Sequence, residues 1–501
     1  MAQSPQTPRL TRRLLLAGLL ASGAGAAFAG APARSIRPGV RPLGIRMQAA
    51  GPVDAIVAGA KLSGDVGFVV ADAETGEVLE TRNPLLALPP ASVTKTVTTI
   101  YGLEVLGSQH RFRTRLIATG PVKQGKLDGD LILAGGGDPT LDSDALGILA
   151  KRLKEAGVHE ITGKALVYSG ALPYQRSIDP DQPDHLGYNP SLSGLNLNYN
   201  RVFFEWKRGA NGYAITMDAR ALKYRPRVAM STMKVVERKS PVFTVKSTAR
   251  SDQWTVARQA LGKKGGRWLP VRRPDFYAAE VFHTIARSHG IILPAFKATK
   301  SRPAGTVVAE WQSKPLVTIL RGMLKYSNNL TAEAVGVSAS KKRGGNPITL
   351  AASGRQMAQW LSARTGERNA KFIDHSGLGD GSRISPTDMV RVLTRQGWNG
   401  PLRGLMKEIP FRDAKGKPIK GHPVQIHAKT GTLNFVSALA GYAEIRGGRR
   451  LAFAIFSADL AHRNKIKRAE RERPQGARAW NRRAKSLQQQ LIARWAAAFS
   501  A

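Results

Sequence analysis

Three short stretches of the 501-residue chain carry side chains suited to moving an acyl group. The first is Ser92-Val93-Thr94-Lys95, which follows Leu88-Pro89-Pro90-Ala91 and leads into a run reaching Tyr101, Leu103 and Leu106. Two prolines punctuate an extended approach and the residues after them suit a helix. Ser92 is therefore expected in a first helical turn, with Lys95 on the same face. A hydroxyl there sits in the positive field of a helix N-terminus, beside unpaired backbone N–H groups. A lysine one turn further on takes the hydroxyl proton only when neutral. Neutrality needs burial or a second nearby cation, because an exposed lysine titrates near ~10.4. An N-capping serine beside a solvated lysine has the same spacing, so the assignment leans on two further stretches. Ser327-Asn328-Asn329 lies between Tyr326 and Glu333, and Lys429-Thr430-Gly431-Thr432 opens an apolar, β-rich run.

These groups need a scaffold, and the pattern around them supplies one. A short helix is expected over 53–60, then a hairpin of strands over 65–72 and 77–82 around Glu74-Thr75-Gly76. Strands are expected over 426–431, 436–446 and 450–457, with Gly447-Gly448 turning between the last two. Trp480, Ala484, Leu487, Leu491 and Trp495 recur at helical steps and read as a core-facing stripe on a closing helix. Asp374-His375-Ser376-Gly377-Leu378 reads as a loop before a helix over 386–393, with His375 at the surface. Between the first two motifs, strand-like runs over 115–119, 131–133 and 165–168 are broken by glycines. Gly135-Gly136-Gly137-Asp138-Pro139 is a tight turn and no phosphate loop, since no Gly-Lys-Ser/Thr follows and proline interrupts any helix.

The composition bounds the chemistry. The chain has no cysteine, which excludes disulfides, cysteine-ligated zinc and thiol catalysis. Residues 1–33 read as an export signal: Arg9, Arg12 and Arg13 without any acid, an apolar stretch over 14–28, and Ala27-Phe28-Ala29 as the cleavage site with Ala31-Pro32-Ala33 as the second choice. Thr11-Arg12-Arg13-Leu14-Leu15-Leu16 is similar to a twin-arginine signal, with Leu15 where phenylalanine is usual. The formal net charge is +41, and removal of those three arginines leaves +38. Such a field attracts polyanions, and contact with an anionic cell-wall or membrane surface is one reading of it. No recognisable module points to specific nucleic-acid binding.

The set S-x-x-K, S-x-N and K-T-G, in that order, resembles the penicillin-binding proteins and serine β-lactamases. Ser92 and Ser327 are 235 residues apart and Ser327 and Lys429 are 102 apart, so a separate module is inserted between the first two motifs. That layout resembles the class C low-molecular-mass penicillin-binding proteins, the D-alanyl-D-alanine carboxypeptidase/endopeptidase group. Gly129 to Leu141, Ser193-Gly194-Leu195-Asn196-Leu197-Asn198 and Asp374-His375-Ser376-Gly377-Leu378 are similar to stretches of that group as well. The implied fold is α+β: a transpeptidase-like domain, an antiparallel sheet flanked by helices, made of 50–111 and 273–501, with a large, mostly β insert over 112–272. A helix over 274–289 is expected to re-enter the transpeptidase-like part.

The resemblance also implies roles. Ser92 attacks the carbonyl between two D-alanines, or between D-alanine and a cross-linking diamino acid, and forms an acyl ester. Lys95 is the base, Ser327 backed by Lys429 protonates the leaving amine, and Asn329 holds the substrate amide and orients Lys95. Thr430 meets the terminal carboxylate. Gly431 and Thr432 line the cleft, where the N–H groups of Ser92 and Thr432 form an oxyanion hole. An aspartate of the insert faces the amine of a diaminopimelate side chain. Spacing selects Asp184, and Asp179 or Asp181 could replace it. Peptidoglycan stem peptides and β-lactams are the implied ligands, in the periplasm, with no cofactor and no metal. Two other readings are a β-lactamase-like hydrolase and a catalytically weak wall-binding scaffold. Against the former, no class A deacylating E-x-x-L-N stretch is present.

Overall fold

A computed structural model describes residue 47 and residues 50–366, 369–413, 415–445 and 448–499. The export signal expected over 1–33 and half of the Gly447-Gly448 turn lie outside the described residues. Of the expected elements, the helix Val53–Gly59 and the strands Asp65–Asp72 and Val78–Arg82 form within a residue or so of their sequence-based bounds.

The third motif is carried by a six-stranded antiparallel sheet, in the order Lys407–Glu408, Val424–Leu433, Val436–Ile445, Arg450–Ala458, Asp65–Asp72, Val78–Arg82. Both faces are covered, which is why Val436–Ile445 and Arg450–Ala458 are buried almost without interruption instead of alternating with solvent. On one face, Leu487, Leu491 and Trp495 of the helix Ala477–Ala498 pack on Phe68, Leu439 and Phe453. The other face packs on the helices Thr94–Leu106 and Pro386–Gln396, through Val97, Tyr101, Met389 and Leu393. Ser385 caps the latter helix in a reciprocal capping box with Asp388, and Pro386 follows at its first position.

A second core draws on residues from Leu116 to Ala309. Its principal sheet runs Lys297–Ala298, Ala165–Tyr168, Leu131–Gly135, Arg113–Ala118, Thr306–Gln312. The helices Ser143–Glu155 and Pro274–Ser288 cover one face of it. Two three-stranded sheets from 201–270 and a third from 122–161 also belong to this body. The return of the chain differs from expectation. Helix Pro274–Ser288 buries Tyr277, Val281, Phe282 and Ile285 in the second core and does not re-enter the first. Thr306–Gln312 then pairs with Arg113–Ala118, and the two connecting strands meet where Ser313 N–H donates to Phe112 O at 2.9 Å. A helix stripe records only that a helix has an apolar face. Which core receives that face is set by strand pairing more than a hundred residues away in sequence. Among the described residues, no helix is long and apolar enough to cross a membrane.

Candidate active site

Ser92 lies in a single 3₁₀ turn, Ala91–Val93, directly ahead of the helix Thr94–Leu106. The prolines bring the chain in, and Ala91 takes a left-handed conformation (φ 46°) to turn it. Two glycines let other elements close on this turn. A Cβ on Gly431 would lie 2.5 Å from Pro90 O, and one on Gly377 (φ 71°) would lie 1.8 Å from Ala91 O. The strand Val424–Leu433 and the loop after Asp374 can therefore approach Ser92 only with glycine at those positions.

Lys95 is fully buried, and its Nζ has three neighbours: Ser92 Oγ at 3.0 Å, Asn329 Oδ1 at 2.7 Å and Ser376 O at 2.7 Å. Two of these can only accept. A neutral amine donates to both and keeps its lone pair for the Ser92 hydroxyl proton. Burial brings the Lys95 amine down to about 7, while Asp374 and Glu333 pull it upward. Close to neutrality, then, this lysine exchanges its proton readily.

Ser327 closes the helix Leu316–Tyr326 in the left-handed region (φ 56°), and its Oγ accepts from Lys429 Nζ at 3.0 Å. Lys429 Nζ also donates to Thr430 O at 2.7 Å. Burial holds Lys429 well below the ordinary lysine range, with Lys95 and Lys407 adding repulsion. Asn328 is the cap of the next helix, Asn329–Lys342, accepting from Thr331 N at 2.9 Å. That cap fixes Asn329 at the first helical position. Its Oδ1 meets Lys95 and its Nδ2 donates to Tyr188 O at 2.9 Å.

Ser92, Lys95, Asn329, Ser327 and Lys429 thus form two contact groups, Ser92–Lys95–Asn329 and Ser327–Lys429, with Thr430, Gly431 and Thr432 on the strand that carries Lys429. Asp184 stands apart from them. Its carboxylate faces Arg272 at 3.7 Å and Arg468 at 3.3 Å. Asp179 is buried against Gln182, and Asp181 lies 3.9 Å from Arg471. The loop bearing them still reaches the site, through the Tyr188 carbonyl on Asn329.

His375 is a correction. It is completely buried, not at the surface, with Nε2 2.7 Å from Ser353 Oγ and Nδ1 3.3 Å from Met357 Sδ. Gly336 makes the room, since a Cβ there would lie 2.1 Å from the ring. Burial pushes the imidazole down to about 3, so it is neutral and serves as a hydrogen-bonding core residue.

Two buried acids have no counterpart in the sequence-based expectation. Glu333 accepts the N–H groups of His375 and Ser376 at 3.0 and 2.9 Å. Asp374 accepts those of Gly377 and Gly379 at 2.6 and 2.8 Å. Together they shape the loop whose Ser376 carbonyl holds Lys95. Burial raises both carboxyls, and their mutual repulsion raises Glu333 further. One signal was available: Glu333 stands four residues after Asn329, on the same helical face.

Residues 49–477 match the D-Ala-D-Ala carboxypeptidase 3 (S13) family. The chain is 26% identical over 411 residues to D-alanyl-D-alanine carboxypeptidase DacB of Haemophilus influenzae, covering 78% of this chain and 85% of that one. It is 28% identical over 441 residues to the D-alanyl-D-alanine carboxypeptidase of an Actinomadura species, covering 80% and 79%. In fold it is similar to penicillin-binding protein 4 (dacB) of Haemophilus influenzae, with a TM-score of 0.67 at 22% identity over 81% of this chain and 93% of that one. The chain belongs to the S13 family of serine D-Ala-D-Ala carboxypeptidases, enzymes that act on peptidoglycan peptides through an acyl-serine.

Proposed function

We propose that Ser92 is the acylated nucleophile and Lys95, in its neutral form, the base that takes its proton. The observation that carries this reading is the Lys95 amine, fully buried and divided among Ser92 Oγ, Asn329 Oδ1 and Ser376 O. Its lone pair is directed to the hydroxyl once the two acceptors have taken two of its protons. Attack on the D-Ala carbonyl forms the Ser92 ester and breaks the peptide C–N bond. The leaving amine collects its proton through Ser327, 3.0 Å from Lys429, and water then hydrolyses the ester. The N–H groups of Ser92 and Thr432 stabilise the tetrahedral oxyanion, roughly 2.7–4 kcal/mol for each donor. Thr430 receives the terminal carboxylate. Asn329 reaches the substrate amide after its Nδ2 leaves the Tyr188 carbonyl.

The same acyl chemistry serves cross-link cleavage, so the reading includes D,D-endopeptidase action beside the carboxypeptidase activity. Export to the periplasm belongs to it too, on the strength of the arginine-led apolar leader. Asp184 has the narrowest part. Two guanidiniums already compensate its charge, so as a diaminopimelate-amine contact it contributes a modest rise in KM for such peptides in Asp184→Asn and nothing to penicillin acylation.

Incubation with defined muropeptides, with products identified by mass, tests the reaction. Release of free D-alanine from pentapeptides and of monomers from cross-linked dimers is expected. Dimers left intact while pentapeptides are trimmed would remove the endopeptidase part. Peptide mapping of a penicillin-treated sample should find the adduct on Ser92.

A further inference from the structure

The sheet of the second core has two different faces. One packs on the helices Ser143–Glu155 and Pro274–Ser288. The other carries Arg113, Arg115 and Ile117 from the strand Arg113–Ala118, with Ala134 from the adjacent strand Leu131–Gly135 and Tyr168 from the one beyond it, Ala165–Tyr168, and borders a groove of about 540 Å³. Arg302 and Lys341 complete its wall. A second groove of about 530 Å³ shares Arg113, Arg115 and Gly136 and adds Arg111, so the concavity is continuous. Glu310 is the acid beside it, held by Arg113 at 3.0 Å and Arg115 at 2.7 Å. The guanidinium side chains remain 50% and 41% exposed, so one carboxylate leaves most of their donor capacity unspent.

We propose that this groove docks the carboxylate-bearing glycopeptide strand of the polymeric substrate, at a distance from the catalytic serine. The inference rests on the wall-peptide reading above and adds a second contact to it. Three features favour such a strand. Guanidinium forks match carboxylates two by two. The surface is concave and, among the described residues, has no flanking row of exposed apolar side chains, which does not suit a flat lipid interface. Its rings are Tyr168 in one part and His110 packed edge-to-face on the buried Phe112 in the other, where a nucleic-acid groove needs a series of exposed stacking rings.

Spacing is the further argument. Lys341 in the groove and Asn329 on Lys95 belong to one helix, Asn329–Lys342. Twelve residues of α-helix rise about 18 Å. A fully extended five-residue stem spans roughly 17 Å. A strand resting in the groove can therefore present the end of one of its own stems to Ser92. A free small peptide gains nothing from the groove.

The test uses the full-length exported protein and a double charge reversal, Arg113→Glu with Arg302→Glu, beside the neutral Arg113→Gln with Arg302→Gln. Insoluble peptidoglycan sacculi are the binding probe, and a soluble D-Ala-D-Ala-terminated tripeptide is the activity probe. Loss of two exposed charge contacts should weaken sedimentation with sacculi about tenfold, which is about 1.4 kcal/mol. Tripeptide turnover and penicillin labelling should stay at the wild-type level, which also reports folding. Reversal of Arg482 and Arg483 on the closing helix is the control for net charge. Equal loss of binding in that control would overturn the groove, as would unchanged sedimentation of both groove variants. A groove variant that releases anionic lipid vesicles or RNA but keeps sacculi would overturn it as well. Failure to cleave the tripeptide in the wild-type protein strikes the catalytic reading instead, and the sedimentation result stands apart from it.

Discussion

The protein places cationic side chains in two opposite settings. Lys95 and Lys429 are sealed between a helix, a loop and a strand, while Arg113 and Arg115 lie half-exposed on an open sheet face of the second core. Burial makes the proton of a lysine easy to lose, because the charged form is the one that desolvation penalises. Exposure leaves an arginine permanently charged and screened by salt. In the reading proposed above, one setting gives a base and the other a surface for anions. Net charge alone, at +41, does not distinguish them.

The contrast can be broken most completely at its buried end. Ser92→Ala should abolish covalent labelling by a fluorescent penicillin while the thermal transition is retained. Full labelling of that variant would mean that another nucleophile serves. Lys95→Arg keeps a cation that cannot lose its proton near neutrality, so acylation should fall by about 10²–10⁴. A stopped-flow rate within a few-fold of wild type would show that burial of Lys95 has no catalytic consequence.

The next effect is smaller and sharpens the cause. Asp374 pulls the Lys95 amine upward and, with Glu333, shapes the loop that holds it. In Asp374→Asn the charge is removed, so the ascending limb of the acylation rate should move to lower pH even as the rate itself drops several-fold. A drop with no shift would reduce Asp374 to loop geometry alone. The smallest expected effect concerns stability. His375 is held near 3, below its unfolded value of about 6.5. The unfolded chain therefore binds the extra proton first. Its contribution to stability is complete above about 6.5 and is lost progressively as pH falls towards 3. His375→Gln should flatten the loss of Tm between pH 6.5 and 4.5, as read by calorimetry. An unchanged slope would place the acid sensitivity elsewhere, with the buried carboxyls as the first candidates.

Much of the site was legible because its chemistry depends on short spacings. Ser92 and Lys95 are three residues apart, and Lys429 lies within the strand Val424–Leu433, ahead of an apolar run that is plain in the sequence. The glycine of Lys429-Thr430-Gly431 marks a close backbone approach, and Pro90 O is the atom it approaches. Less was legible where burial decides. Nothing local shows that His375 lies under Gly336, or that Glu333 and Asp374 share the interior with Lys95, since those contacts join residues 40 to 280 apart. The same limit misdirected the helix Pro274–Ser288. Its stripe was correct and its partner was not, because two apolar cores compete for any amphipathic helix and only the long-range pairing of Arg113–Ala118 with Thr306–Gln312 selects one.

The central claim is that burial makes Lys95 a neutral base. Its most direct test is the second-order rate of acylation by a fluorescent penicillin from pH 5 to 9. Below about 7 the amine is protonated and has no lone pair for Ser92, so the rate should climb through one ionisation near that pH and level off above it. In Lys95→Arg this ascending limb should be absent. A wild-type profile flat from pH 5 to 9, or an identical limb in Lys95→Arg, would contradict the account.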